Sequence, residues 1–236
     1  MRLRLVFYIF FFAYSIIMLS GCCRKSCINK MLVYKDNFDN GLSSWQIEQM
    51  PGGTVKIKDG RLEIDDKAGC TVWFREKLTS PVIIEYDVEI IGNGGPNDRM
   101  SDLNCFWMAQ DPQHPDDIFA DSEKRGGSFG NYNSLRLYYV GYAANDNTTT
   151  RFRKYAGDGS KPLLPEHDLT GYSLSAGEKL HVKIVSDGSI NQYWVNGEKI
   201  FDFNDNEPYT SGYFGFRTVK NHLMMDNFRV YSIDNN

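Results

Sequence analysis

Residues 82–90 read Val82-Ile83-Ile84-Glu85-Tyr86-Asp87-Val88-Glu89-Ile90. In an extended chain Ile84, Tyr86, Val88 and Ile90 share one side, and Glu85, Asp87 and Glu89 share the other. One side is dry and one is wet, the pattern of an antiparallel sheet with a single buried face. The same alternation predicts hairpins elsewhere. Lys56-Ile57-Lys58 meets Arg61-Leu62-Glu63-Ile64-Asp65 across Asp59-Gly60. His181 to Val185 meets Gln192 to Asn196 across Asp187-Gly188. Strands over 212–217 and 225–231 close the chain. Asn-Gly, Asp-Gly and Gly-rich punctuation recurs throughout and marks the turns. No helical period follows residue 21, and many short strands with regular turns predict a sandwich.

The amino end has a different character. Arg2 and Arg4 precede a nearly unbroken apolar run from Leu5 to Leu19, and then Leu19-Ser20-Gly21-Cys22. A basic start, a short apolar core and small residues read as a secretory signal. The run is about 15 residues, short of the about 20 that a membrane-spanning helix needs. Leu-Ser-Gly-Cys resembles the bacterial lipobox. That resemblance implies cleavage before Cys22, its diacylation, and attachment of the protein to a membrane of the cell envelope, facing the periplasm or the surface. The expected organisation is a signal peptide at 1–21, an acylated tether at 22–32 and one β domain at 33–236.

Loss of residues 1–21 leaves about 215 residues, a size common for single β domains. It also removes Arg2 and Arg4, so two lost positive charges take the formal net charge from −4 to −6. That balance speaks against a nucleic-acid partner, which calls for a basic patch. The chain has 5 cysteines, too few for a disulfide scaffold. Cys70 and Cys105 either pair in an oxidising compartment or serve as small buried hydrophobes.

Three further stretches carry a resemblance. They are Asp36-Asn37-Phe38-Asp39 with Trp45, Trp194-Val195-Asn196-Gly197-Glu198, and the closing pair Gly212-Tyr213-Phe214-Gly215-Phe216-Arg217 and Asp226-Asn227-Phe228-Arg229-Val230-Tyr231. Together they resemble the concanavalin-like jelly rolls of laminarinases and lectins. The resemblance implies an all-β, two-sheet antiparallel jelly-roll sandwich and a carbohydrate ligand. More narrowly, 101–109, Tyr139-Val140-Gly141-Tyr142 and 148–155 resemble the YesU-like group of bacterial proteins. That group tends to accompany enzymes degrading pectic, rhamnogalacturonan-type polysaccharide.

Several residues stand out as candidates for chemistry. Asp102 and Asn104 share a strand face, and such a carboxyl–amide pair suits sugar hydroxyls or proton transfer. Arg151, Arg153 and Tyr155 share another. Guanidinium groups pair bidentately with a uronate carboxylate, and β-elimination needs that neutralisation plus a base. Arg217 and His222 lie near the closing strands, histidine being easily tuned for proton transfer. The expected catalytic set is Arg151, Arg153, Tyr155, Asp102 and His222. The expected substrate-binding set is Asn104, Trp107, Tyr139 and Arg217, the rings stacking on sugar faces. His114 and His167 are weaker candidates.

No histidine pair or cysteine cluster at metal-ligand spacing occurs in the fold. Ca²⁺ could be held by Asp98, Asp102 and nearby carbonyls. The Glu-x-Asp-x-x-Glu strand of retaining glycosidases in this superfamily is missing, which argues against double displacement. The expected activity is a lyase, or less readily a hydrolase, on a uronate-containing oligosaccharide; a glycan-binding lipoprotein without turnover is the alternative.

Overall fold

A computed structural model describes residues 29–234. The signal segment, Cys22 and most of the tether therefore lie outside the described residues. In chain order the strands are β1 (Lys30–Asp36), β2 (Trp45–Gln49), β3 (Thr54–Lys58), β4 (Arg61–Asp66), β5 (Cys70–Phe74), β6 (Leu78–Thr79), β7 (Val82–Ile90) and β8 (Leu103–Gln110). There follow β9 (Arg136–Ala143), β10 (Thr149–Ala156), β11 (Asp168–Leu169), β12 (Lys179–Ser186), β13 (Ile190–Val195), β14 (Glu198–Asn204), β15 (Ser211–Thr218) and β16 (Asn221–Ile233). The first strand begins at Lys30, three residues ahead of the expected start of the domain at 33.

The strands form two antiparallel sheets. The first runs β14-β13-β12-β7-β16-β4-β3, with β1 on β16; the second runs β11-β10-β9-β8-β15-β5-β2, with β6 on β15. This is the expected jelly-roll sandwich. β7 keeps its alternation: Ile84, Tyr86, Val88 and Ile90 are buried, and Glu85, Asp87 and Glu89 are half-exposed. The Asp59-Gly60 and Asn196-Gly197 hairpins place both residues at positive φ, the conformation of tight hairpin turns.

Aromatic rings fill the space between the sheets. Trp45 stacks on Phe216 at 5.2 Å and meets Phe228 edge-on at 4.9 Å. Its Nε1 donates to Asp36 Oδ2 at 2.9 Å, and Asp36 Oδ1 accepts from the Phe38 amide at 2.7 Å. Cys70 and Cys105 are both free and buried, so they act as small hydrophobes.

The second sheet departs from the one-dry-face pattern. β8 is buried at every position from Leu103 to Ala109. A bulge at Met108, with φ of 51°, interrupts the alternation. Met108 turns into the central core, and Ala109 turns outward into a second cluster. That cluster joins Trp73, Phe106, Leu137, Tyr139 and Tyr155 of the sheet to Ile118, Tyr132 and Leu135 of the long β8–β9 connection. The connection holds three short helical turns, Ile118–Asp121, Ser122–Arg125 and Phe129–Tyr132. The sequence shows no helical period there because four-residue turns are too short to establish one.

On the outer face of the first sheet, Glu63 accepts from Lys58 at 2.7 Å and lies 3.0 Å from His222 Nε2. Burial alone would raise the Glu63 carboxyl, but bonds from Lys58, His222 and Lys56 outweigh it and hold it down at about 2. A depressed carboxyl adds stability above its unfolded value of 4.5, and that stability is lost as pH falls toward 2. Glu63→Gln should therefore lower stability at pH 7 and flatten its decline across this acid window. Denaturant unfolding followed by circular dichroism at several pH values reads the slope; identical slopes in both proteins would contradict the assignment.

Candidate functional site

Strand register brings the polar candidates into rows on the outer face of the second sheet. Arg217 lies opposite Asn104, Asn104 opposite Gly141, Gly141 opposite Arg151, and Arg151 opposite Asp168. The adjacent row runs Gly215, Phe106, Tyr139, Arg153. Alternation points both rows to the same side. At Gly141 a Cβ would stand 2.4 Å from Tyr139 Oη, so the glycine leaves room for the ring of Tyr139 to lie along the sheet.

These rows form the floor of a cleft of about 420 Å³, lined among others by Asp102, Asn104, Tyr139, Arg151, Arg153 and Tyr155. Asp102, Asn104, Arg151, Arg153 and Tyr155 were expected to converge with Arg217 in one groove; these five line the cleft, and Arg217 does not. Tyr139 is largely buried in the floor, where it packs on Phe106 and Tyr155. Arg217 is buried on the same face, between the rings of Phe129 and Tyr132, each centred 5.2 Å from its guanidinium carbon.

Two expected site residues lie elsewhere. Trp107 is buried between the sheets, where it packs on Tyr138 and donates through Nε1 to Asn191 Oδ1 at 2.9 Å. Its place in the strand alternation sends it inward, so it cannot stack on a ligand in this cleft. His222 belongs to the first sheet, with Nδ1 2.8 Å from Asp98 Oδ1 and Nε2 3.0 Å from Glu63 Oε1. It tethers the 92–98 loop and does not line the cleft.

The weaker histidine candidates are also outside it. His167 packs against Phe152 and Phe203, and burial lowers its pKa. His114 sits with Asp111 and Asp121, their ligand atoms within 4.8 Å of one another. Lys124 and Arg125 already approach those carboxylates, at 2.6 and 3.9 Å, so this is an ion-pair cluster. The residues suggested for Ca²⁺ have other partners here. Asp98 accepts from the amides of Asn93 and Gly95 and faces His222, while Asp102 pairs with Arg99.

Cations dominate the cleft. Arg99 Nη1 donates to Asp102 Oδ2 at 2.5 Å and to the Val219 carbonyl at 3.0 Å, and its Nε donates to Asp146 at 2.6 Å. Arg151 is matched by Asp168 at 2.7 Å, and that bond lowers the Asp168 carboxyl. Arg153, Lys161 and Arg217 find only neutral acceptors among the described residues. These are the Lys161 carbonyl at 2.6 Å, Asn133 Oδ1 at 2.9 Å, and the Gly127 carbonyl at 2.6 Å with Thr71 Oγ1 at 3.2 Å. Burial, then Arg153, lowers the Lys161 ammonium.

Polar atoms on the floor are also unmatched. Asn104 Oδ1, Tyr155 Oη and Arg217 Nε and Nη2 are buried without a hydrogen-bond partner among the described residues. Folded proteins satisfy nearly all such groups, so a cluster of exceptions on one face marks a site for a polar ligand or ordered water. Burial holds the Tyr139 and Tyr155 hydroxyls well above the ordinary tyrosine range, so both are protonated near neutrality. The floor can donate and accept hydrogen bonds and neutralise an anion; the carboxylate in its lining, Asp102, is already engaged by Arg99 and Ser101.

Sequence reading missed Arg99, Phe129 and Lys161. Arg99 carried a usable signal, three residues before Asp102 in a turn-rich segment. Phe129 and Lys161 come from loops that only the fold brings to the cleft.

A family model described as "Domain of unknown function (DUF6250)" matches residues 64–228. Among solved structures, a Bacillus subtilis protein of unknown function with a galectin-like fold aligns with a TM-score of 0.68 at 20% identity, over 87% of this chain and 97% of that one. An endo-β-1,3-glucanase from Pyrococcus furiosus gives 0.57 at 13% identity, over 89% and 97%. The carbohydrate-binding module CBM66 from Bacillus subtilis gives 0.55 at 12% identity, over 81% and 97%. These likenesses show the fold. No curated protein matches the chain.

Beside the cleft, Arg125 and Glu48 form a buried pair. Arg125 Nη2 donates to Glu48 Oε1 at 2.6 Å, and Tyr132 Oη donates to Glu48 Oε2 at 2.7 Å. Arg125→Met should cost about 3–5 kcal/mol in denaturant unfolding, because it strands a buried carboxylate. Adding Glu48→Gln should recover much of that loss. Additive losses in the double variant would show that the pair does not anchor the connection.

Proposed function

The chain belongs to the DUF6250 family, and we propose that its cleft binds the charged unit of an acidic, uronate-containing carbohydrate. One observation carries this reading. Among the described residues, Arg153 and Lys161 line the cleft without a bonded carboxylate, beside the unpartnered Asn104 Oδ1 and Tyr155 Oη. A uronate answers both needs: its carboxylate neutralises guanidinium or ammonium, and its hydroxyls donate and accept. Tyr139 and Phe129 offer ring faces for the apolar side of a sugar. Carbohydrate-related names among the structural neighbours, glucanases and a carbohydrate-binding module, support the broader class. The pectic, rhamnogalacturonan-type source, the place within the YesU-like group, and the lipid anchor at Cys22 in the cell envelope are parts of the same proposal.

Binding without turnover is the reading the geometry favours. Elimination breaks the C5–H and C4–O bonds, forms a C4=C5 bond and returns a proton to the departing oxygen. It needs a base as well as a proton donor. Tyr155 Oη, unpartnered on the same face as Arg153 and Arg217, fits the donor and favours a lyase as the second reading. Asp102 is engaged by Arg99 and Ser101, and both phenols keep their protons.

Calorimetry with galacturonate oligomers and with neutral glucans tests the proposal. Arg153→Ala should weaken acidic-oligomer binding about tenfold to a hundredfold, the worth of one hydrogen bond to a charged group, roughly 1.5–3 kcal/mol. Arg153→Lys should retain part of it. Equal affinity for neutral and acidic oligomers would overturn the charge-based reading. Appearance of the ultraviolet absorbance of an unsaturated uronate would move the assignment to the lyase.

A further inference from the structure

We infer that the cleft receives a chain end of this carbohydrate and not an internal stretch; the inference rests on the acidic-sugar reading above. The polar row on the second sheet spans its full width, from Glu48 and Thr71 through Arg217, Asn104 and Gly141 to Arg151. Uncovered, such a row would line a groove open at both sides, wide enough for a polymer to pass. Here half of it is roofed. Arg125 and Tyr132 of the β8–β9 connection bond Glu48, the Gly127 carbonyl accepts from Arg217, and Tyr132 packs on Trp73 and Phe106 of the neighbouring row.

The roof is the β8–β9 connection, and it is seated firmly. Gly127, at φ of 82°, lies so close to β5 that a Cβ would stand 2.4 Å from the Gly69 carbonyl oxygen. The Gly127 carbonyl accepts from Arg217 at 2.6 Å. Below, Arg125 and Tyr132 hold Glu48. Phe129 projects from this roof as the wall of the cleft. The wall continues into the 157–164 loop, because Lys161 Nζ donates to Asn133 Oδ1 at 2.9 Å and the Gly159 amide donates to the Asn133 carbonyl at 3.2 Å. Another flank is formed by the 144–147 turn, which Arg99 ties down through Asp146.

The cleft therefore stops at Phe129. Its volume of about 420 Å³ lies toward the small end of the about 300–1,000 Å³ usual for ligand sites. Lys161, which no carboxylate bonds among the described residues, stands at the closed side, its Nζ 5.0 Å over the ring of Phe129. A charged sugar unit enters with its carboxylate innermost and the rest of its chain trailing into solvent. Such an arrangement suits a terminal unit, since an internal one would need a second exit through the roof.

Calorimetry with a galacturonate dimer, a hexamer and polymeric galacturonate, reporting protein molecules per chain, tests this. End recognition predicts one protein per chain at every length and an affinity per chain that does not climb with length. A stoichiometry rising with length would overturn end recognition while leaving the acidic-sugar reading intact. No binding to any of the three by correctly folded protein would remove that reading, and this inference with it. Repeating the hexamer titration after borohydride reduction identifies the end: lost binding assigns the reducing end, and unchanged binding the other.

Discussion

The middle of the second sheet, at β8, must be kept dry on both faces, and the rest of this molecule follows from that constraint. β8 carries Leu103, Cys105 and Trp107 toward the first sheet and Phe106 and Ala109 away from it, all buried. A strand that is apolar on its outer side has to be covered. The β8–β9 connection supplies the cover with Ile118, Tyr132 and Leu135. The cover stops short of the sheet's edge, and what it leaves open is the cleft. Site and roof thus have one origin.

Burial also sets the electrostatics of the site. A guanidinium in water is matched by solvent, but Arg217 is removed from it and held by two neutral oxygens. Part of its hydrogen-bonding capacity stays unused, a costly state for a buried charged group. The nearby phenols are held protonated by the same desolvation. The face is left rich in donors and short of bases, which suits holding an anion better than taking a proton from it. Arg151, held by Asp168, and Arg99, held by Asp102 and Asp146, shape the cleft's edges and leave its charge to Arg153 and Lys161.

Much of the site was legible because strand alternation is a local rule. Arg151, Arg153 and Tyr155 on one strand and Asn104 on another were separable into faces without knowing the partners, whereas Asp102 lies just ahead of β8 at a φ of 61°, where alternation does not apply. Trp107 shows where composition misled: its position in β8 pointed inward, and the attraction of a tryptophan as a sugar platform outweighed that. His222 failed for a different reason. It follows β15 closely in sequence, but the chain crosses from one sheet to the other there, so a neighbour of Arg217 in sequence becomes a residue of the first sheet.

The sequence by itself determined many of the elements: period-two alternation and Asx-Gly turns mark strands and hairpins, because these depend on neighbours along the chain. Tertiary structure alone decided which faces meet and which are roofed. Phe129, Lys161 and Arg217 come together through pairings over long sequence distances, as between β15 and β8, and through short turns with no period to read. The character of the cleft is likewise a property of enclosure, since the same arginines and tyrosines in water would be solvated and ordinary.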